Sequence, residues 1–134
     1  MIGVDTNVLV RLITADEPAQ TEVARRALAR AEAKGERIFV SLPVLCELVW
    51  TLAGRMYRFN RASIAAALSA LLEGAALEIQ QRDAVSAALQ EFRAGSADFS
   101  DYLVGQLGAA AGCSNTLTFD SALNGTRGFE LLRG

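Results

Sequence analysis

The feature that most constrains this chain is the alternation of short apolar runs with longer stretches of helical period. Met1, Ile2, Gly3 and Val4 form an apolar run that stops at Asp5, and Thr6 and Asn7 supply turn and cap chemistry ahead of Val8, Leu9, Val10, Leu12 and Ile13. A strand, a turn and a helix are expected there. Across residues 17–34 the apolar positions Val23, Ala24, Ala27, Leu28 and Ala31 recur at helical spacing, and Gly35 stops the helix. Residues 37–41 are β-rich, and Ser41, Leu42 and Pro43 read as the cap and entry of a helix running to about Gly54. Residues 62–73 form an Ala/Leu helix ended by Gly74, residues 77–79 a weak strand, and Ala84, Val85, Ala88, Leu89 and Phe92 mark another amphipathic helix. A further helix lies between Ser96 and Gly112, residues 115–119 read as a buried strand stopping at Asp120, and residues 129–132 as a last strand. Such alternation implies an α/β fold. Its central sheet should be mostly parallel, with right-handed crossovers, helices on both faces and ligands at the carboxyl ends of the strands. At 134 residues and 51% apolar composition, one domain spanning residues 1–134 is expected.

The absences narrow the chemistry. There is no histidine, which removes Ser-His-Asp triads, imidazole general bases and His-ligated zinc. Lysine occurs once, at Lys34, outside any GxxxxGK sequence, so a phosphate-binding P-loop is excluded. Cys46 and Cys113 lack metal-ligand spacing, and the N-terminus carries no charged region followed by an apolar one; a reducing, cytoplasmic setting is expected, with both cysteines as small apolar core residues. Glu47, Ser63, Ser69 and Glu73 break the apolar stretches well short of a membrane span. A net charge of −2 provides no protein-wide attraction for polyanions, so nucleic-acid binding has to be local.

What remains is carboxylate chemistry. Two of the expected strands stop at aspartates, Asp5 and Asp120, where an open α/β sheet places its ligands. Glu47 interrupts an apolar run, with no Lys or Arg within a helical turn, and a carboxylate buried there needs a cation. Asp98 and Asp101 sit on one face of a helix start, where the positive end of the dipole favours negative charge. If these five converge, their mutual repulsion selects a hard cation, Mg²⁺ or Mn²⁺, and such a site suits phosphodiester hydrolysis. Thr6, Asn7, Thr116 and Thr118 are short polar groups placed to orient water or a carboxylate. Each acid also has a plainer reading: Asp5, Asp98 with Asp101, and Asp120 are all residues of the kind that cap helices.

At these residues the chain resembles a known family, the PIN-domain ribonucleases, and in particular the VapC-like toxins of bacterial toxin–antitoxin pairs. The likeness spans essentially the whole chain. It lies in Asp5, Thr6 and Asn7 after an apolar strand, Glu47 within a helix, Asp98 to Leu103 opening a later helix, and Thr118, Phe119 and Asp120 closing a strand. It implies a three-layer α/β/α PIN fold, Mg²⁺- or Mn²⁺-dependent RNA cleavage, a homodimer and inhibition by a cognate antitoxin. It also implies an acidic site of Asp5, Glu47, Asp101 and Asp120 with Asp98 as a fifth member, and Asp5 and Asp101 as the main metal ligands. One departure is Tyr102-Leu103-Val104-Gly105-Gln106, where the family usually has small and apolar residues; Gly105 keeps the close packing such residues allow.

Arg55, Met56, Tyr57, Arg58, Phe59, Asn60 and Arg61 put three arginines among two aromatics after the Glu47 helix. Arg55, Arg58, Arg61 and Tyr57 are therefore candidate RNA contacts, arginine on phosphate and ring under base. The alternative is a solvated connection whose aromatics anchor it to the core. The helices at 44–52 and 62–72 look apolar over more than one face, as a dimer or antitoxin surface or an enclosed core helix would. Two rival functions remain: an aspartyl-phosphate enzyme with Asp5 as nucleophile, and a non-catalytic dimeric binding module whose carboxylates only cap helices.

Overall fold

Three short strands, β1 (Ile2–Gly3), β2 (Ile38–Val40) and β3 (Leu77–Ile79), form a parallel sheet in the order β1-β2-β3, with Ile2 opposite Ile38 and Ile38 opposite Leu77. The computed structural model that shows this describes residues 1–134, in two units, Met1–Gln80 and Gln81–Gly134. In the first unit, α1 (Thr6–Thr14) and α2 (Pro18–Ala33) link β1 to β2, and α3 (Leu42–Ala53) and α4 (Arg61–Glu73) link β2 to β3. Parallel neighbours need such crossovers, because a tight turn reverses the chain.

Local signals set these boundaries. Pro18 opens α2 at a position where its missing N–H costs nothing, and Gly35 with φ +74 takes the left-handed turn after it. Ser41 caps α3 by accepting from the Val44 N–H at 3.4 Å, and Asn60 caps α4 by accepting from the Ser63 N–H at 2.8 Å. The core of this unit is Leu9 and Val10 of α1, Ile38 and Val40 of β2, Leu45, Leu48 and Leu52 of α3, and Ile64 and Leu68 of α4. Neither α3 nor α4 is enclosed: Trp50 on α3 is 59% exposed, and Ala62, Ala66 and Ala70 of α4 face solvent.

The second unit comprises α5 (Arg82–Ala94), α6 (Phe99–Ala110), β4 (Thr116–Thr118), a 3₁₀ turn (Ser121–Leu123) and β5 (Phe129–Leu131). β4 and β5 pair in parallel, Thr116 opposite Phe129. The α/β class therefore stands: every strand pair is parallel and the strands are flanked by helices. α5 packs on α6 through Val85, Ala88, Leu89 and Phe92, with Phe92 and Phe99 edge to face at 6.3 Å between ring centres. A side chain at Gly105 would come within 2.6 Å of the Phe129 ring, so α6 and β5 approach as only glycine allows. Gln106 reaches back to α5, donating to Glu91 Oε1 at 2.7 Å.

Three expectations are corrected. Residues 115–119 are not a buried strand: Leu117 and Phe119 are 62% and 74% exposed, because alternation turns Thr116 and Thr118 toward the packed face and Leu117 away from it. Cys113 is exposed, in the turn after α6, where the chain is held by its N–H donating to the Gly108 carbonyl and not by its side chain. Cys46 is half-buried and not a core residue, and burial raises its thiol pKa. No helix is long and apolar enough to cross a membrane.

Candidate active site

Helix α6 begins where it does because Asp98 and Asp101 satisfy its first turn. Asp98 takes the extended N-cap conformation, and the Asp101 carboxylate reaches back to accept from the Asp98 N–H at 3.2 Å. Beneath this turn Phe99, Tyr102 and Leu103 are buried, and the Tyr102 hydroxyl accepts from the Ala97 N–H at 3.2 Å. The two carboxylates are thus carried on a turn fixed from below. Asp120 follows β4 and caps the 3₁₀ turn, Oδ1 accepting from the Ala122 N–H at 2.9 Å, while its own N–H donates to Thr118 Oγ1 at 3.0 Å. Thr118 thus holds the Asp120 backbone.

Of these three acids, Asp101 feels the charge of the other two. The Asp101 carboxyl is raised above its ordinary value, first by burial; the Asp98 N–H opposes this, and the negative charges of Asp98 and Asp120 add to it. A carboxylate that is half-buried beside two like charges gains from a cation, and hard oxygen donors suit Mg²⁺ or Mn²⁺. The chemistry of the donor set fits such an ion. No three acidic or cysteine side chains are gathered closely enough to form a ready metal cage.

The acids of the first unit stand differently. Asp5 is exposed at the N-cap of α1, where Oδ1 accepts from the Val8 N–H at 3.4 Å. Glu47 is exposed, and the burial argument for a cation at that residue falls. Leu45, Leu48, Val49 and Leu52 make the inner face of α3, which leaves Pro43, Glu47, Trp50 and Thr51 facing solvent. The apolar run around Glu47 is thus an ordinary two-faced helix. Thr6 is the half-buried first residue of α1 and Asn7 is exposed; Thr116 packs its hydroxyl over Gly108, where a Cβ would lie 2.9 Å away. Lys34 is exposed at the C-cap of α2.

In the connection between α3 and α4, Arg55, Arg58 and Arg61 are exposed. Arg58 Nε donates to the Arg55 carbonyl at 3.2 Å. Tyr57 is half-buried and its hydroxyl donates to Asp16 Oδ2 at 2.7 Å. Asp16 also accepts from Thr14 Oγ1 at 2.8 Å and from Arg11 Nη1 at 3.3 Å, and Arg11 Nε donates to Gln20 Oε1 at 2.6 Å. The Tyr57 hydroxyl is thus held by Asp16, in the turn after α1, and by Arg11 of α1. Sequence reasoning missed Arg11, Asp16 and Gln20 altogether, since nothing local distinguishes Asp16 from any other turn acid.

Comparison with known proteins adds the following. The family model for the PIN domain matches residues 2–128. Among solved structures the chain is similar to the VapC20 toxin of Mycobacterium tuberculosis, described as cleaving the Sarcin-Ricin loop, at 20% identity over 93% of this chain and 95% of that one, with a TM-score of 0.45. No curated protein matches.

Proposed function

Because the chain belongs to the PIN domain family, we propose that it is a metal-dependent endoribonuclease, acting as the toxin of a VapC-like toxin–antitoxin pair. On this reading residues 1–134 work as one domain in the cytoplasm, as a homodimer restrained by a cognate antitoxin. The observation that supports it best is the Asp98, Asp101 and Asp120 group, in which the half-buried Asp101 carboxylate is held against its own burial and two like charges.

Asp5 and Asp101 are the proposed principal ligands of Mg²⁺ or Mn²⁺, with Asp98, Asp120 and Glu47 completing the acidic set. A divalent ion in such a site supplies activation of water and neutralisation of charge on the phosphoryl oxygens. Thr118 holds the Asp120 backbone and so fixes where that carboxylate begins. Asp101 keeps one oxygen on the Asp98 N–H and has the other to offer. Thr6, Asn7 and Thr116 are proposed to orient water or carboxylate, and Arg55, Arg58 and Arg61 to meet RNA phosphates, with Tyr57 among them.

The test is cleavage of end-labelled RNA with Mn²⁺, with Mg²⁺ and with EDTA, by wild type and Asp101→Asn. Cleavage by wild type only with metal, abolished in Asp101→Asn, is the expected result; equal turnover by both refutes the assignment. A second reading, the non-catalytic binding module, is favoured by one observation: Asp5, Asp98 and Asp120 all occupy N-cap positions. Absence of any metal-dependent cleavage would select it.

A further inference from the structure

The connection at residues 54–60 is tied down by more than its length requires. Its backbone is closed by the Arg58 N–H donating to the Gly54 carbonyl and the Phe59 N–H donating to the Leu52 carbonyl, both at 2.8 Å. Within it Arg58 has φ +54, a left-handed conformation that a side chain disfavours. The Tyr57 hydroxyl, next to that strained residue, makes two bonds to the first helical pair: it donates to Asp16 Oδ2 at 2.7 Å and accepts from Arg11 Nη1 at 3.3 Å. Asp16 in turn follows Ala15, whose φ of +51 is also left-handed and ends α1. Two disfavoured backbone conformations therefore flank the two ends of one short hydrogen bond. Such conformations persist only where surrounding contacts hold them.

We propose that Asp16 and Tyr57 are positioning residues, a latch that holds the 54–60 connection in the conformation that presents Arg55 and Arg58 to single-stranded RNA. This rests on the reading of the chain as a ribonuclease. With the latch closed, Arg58 stays left-handed and its guanidinium lies over the Arg55 carbonyl at 3.2 Å, so the two side chains leave the loop from a fixed base. With it open, Arg58 relaxes to a negative φ and its side chain swings to a new direction. Exposed arginines on a fixed loop lose less freedom on meeting phosphate than arginines on a loose one. Arg11 completes the latch: its charge faces Asp16, and its Nε is itself oriented by Gln20.

Two readouts on the full chain test this. The first needs no RNA: limited trypsin digestion of the native protein, with cleavage after Arg55 and Arg58 mapped by mass spectrometry. Tyr57→Phe keeps the ring and removes the latch bond, and it should be cut faster than wild type on the order of tenfold. Asp16→Ala should behave alike, and Asp16→Asn, which retains an oxygen for the Tyr57 hydroxyl, should return toward wild type. The second is binding of a fluorescein-labelled single-stranded RNA of mixed sequence in EDTA. Tyr57→Phe should weaken it nearly as much as Arg58→Ala, and the double variant no more than Arg58→Ala alone. Unchanged trypsin rates overturn the latch. Faster trypsin cleavage with unchanged RNA binding, while Arg58→Ala weakens it, overturns the positioning role. If wild type binds no RNA in EDTA and cleaves none with Mn²⁺, the ribonuclease reading falls and takes the positioning role with it; if it cleaves RNA with Mn²⁺ but binds none in EDTA, the positioning role alone falls, whereas the trypsin rates report the latch separately.

Discussion

Gly95→Ala probes the packing beneath the turn that carries Asp98 and Asp101. A methyl group there would overlap the Tyr102 hydroxyl and stand 2.9 Å from the ring carbon that bears it and 3.2 Å from the Glu91 carbonyl. The backbone at Gly95, φ −111 and ψ −167, suits alanine, so the conflict is one of space alone. Tyr102 cannot yield cheaply. It is 2% exposed, and withdrawing its hydroxyl takes from the buried Ala97 N–H an acceptor at 3.2 Å. Overpacking of this kind costs about 1–3 kcal/mol and loss of a buried hydrogen bond about 1–3 kcal/mol, so about 2–6 kcal/mol is expected together. For a chain of this size that is a fall in Tm on the order of 10 °C. Tyr102→Phe alone loses the acceptor, yet it also clears the worst overlap. The double variant should therefore be less destabilised than the sum of the single changes, by about 1–2 kcal/mol. Urea and thermal melts of the four proteins, followed by circular dichroism, close the cycle. Additivity within about 0.5 kcal/mol, or a Gly95→Ala protein that melts with wild type, refutes the argument that this glycine is required by Tyr102.

Other expectations follow from charge. Asp101 has a raised folded-state pKa, so its ionisation works against folding, and stability should increase as pH falls from 7 through that raised value; Asp101→Asn, which keeps an acceptor for the Asp98 N–H, should raise the urea midpoint of the metal-free protein at pH 7 and flatten this pH dependence, and a lowered midpoint contradicts it. Asp16 is the opposite case: the Tyr57 hydroxyl first, then Thr14, hold its carboxyl below the usual value, so its contribution is present at neutral pH and lost as pH falls through the lowered value. The advantage of wild type over Asp16→Asn should accordingly begin to fall near about pH 4 and vanish once the pH is below the lowered value, and an advantage that does not decline in acid excludes the ionised network. Arg55→Ala and Arg58→Ala should each flatten the salt dependence of RNA binding by about 0.7 in logarithmic slope, read from titrations at several salt concentrations; an unchanged slope removes them from the phosphate contacts.

The elements themselves were legible because their causes lie within a few residues. Gly35 and Gly74 bound helices as expected, Ser41 caps α3, residues 77–79 form β3 as read, and the helical spacing of Ala84, Val85, Ala88, Leu89 and Phe92 became the buried face of α5. The acids at element starts were legible for the same reason: Asp5, Asp98 and Asp120 occupy N-caps, which short-range chemistry favours whatever else they do.

Facing was the part that sequence could not supply. Within the apolar run around Glu47, periodicity alone did not reveal that Leu45, Leu48, Val49 and Leu52 would be covered while Glu47 and Trp50 would not; the packing of α1 and α4 against α3 decided that. The same holds for Cys113 and Leu117, apolar by type yet left outside because the neighbouring backbone and the two threonines took the packed positions. Tyr57 and Asp16 are separated by 41 residues, and their hydrogen bond exists only because α1, α3 and the turns after them meet. Caps, helix stops and strand propensity depend on neighbours along the chain, so the sequence alone determined which elements exist and where most of them begin and end. Exposure, the partners of Asp16 and Tyr57, and the electrostatic coupling of Asp101 to Asp120 depend on neighbours in space, and those only the tertiary structure decided.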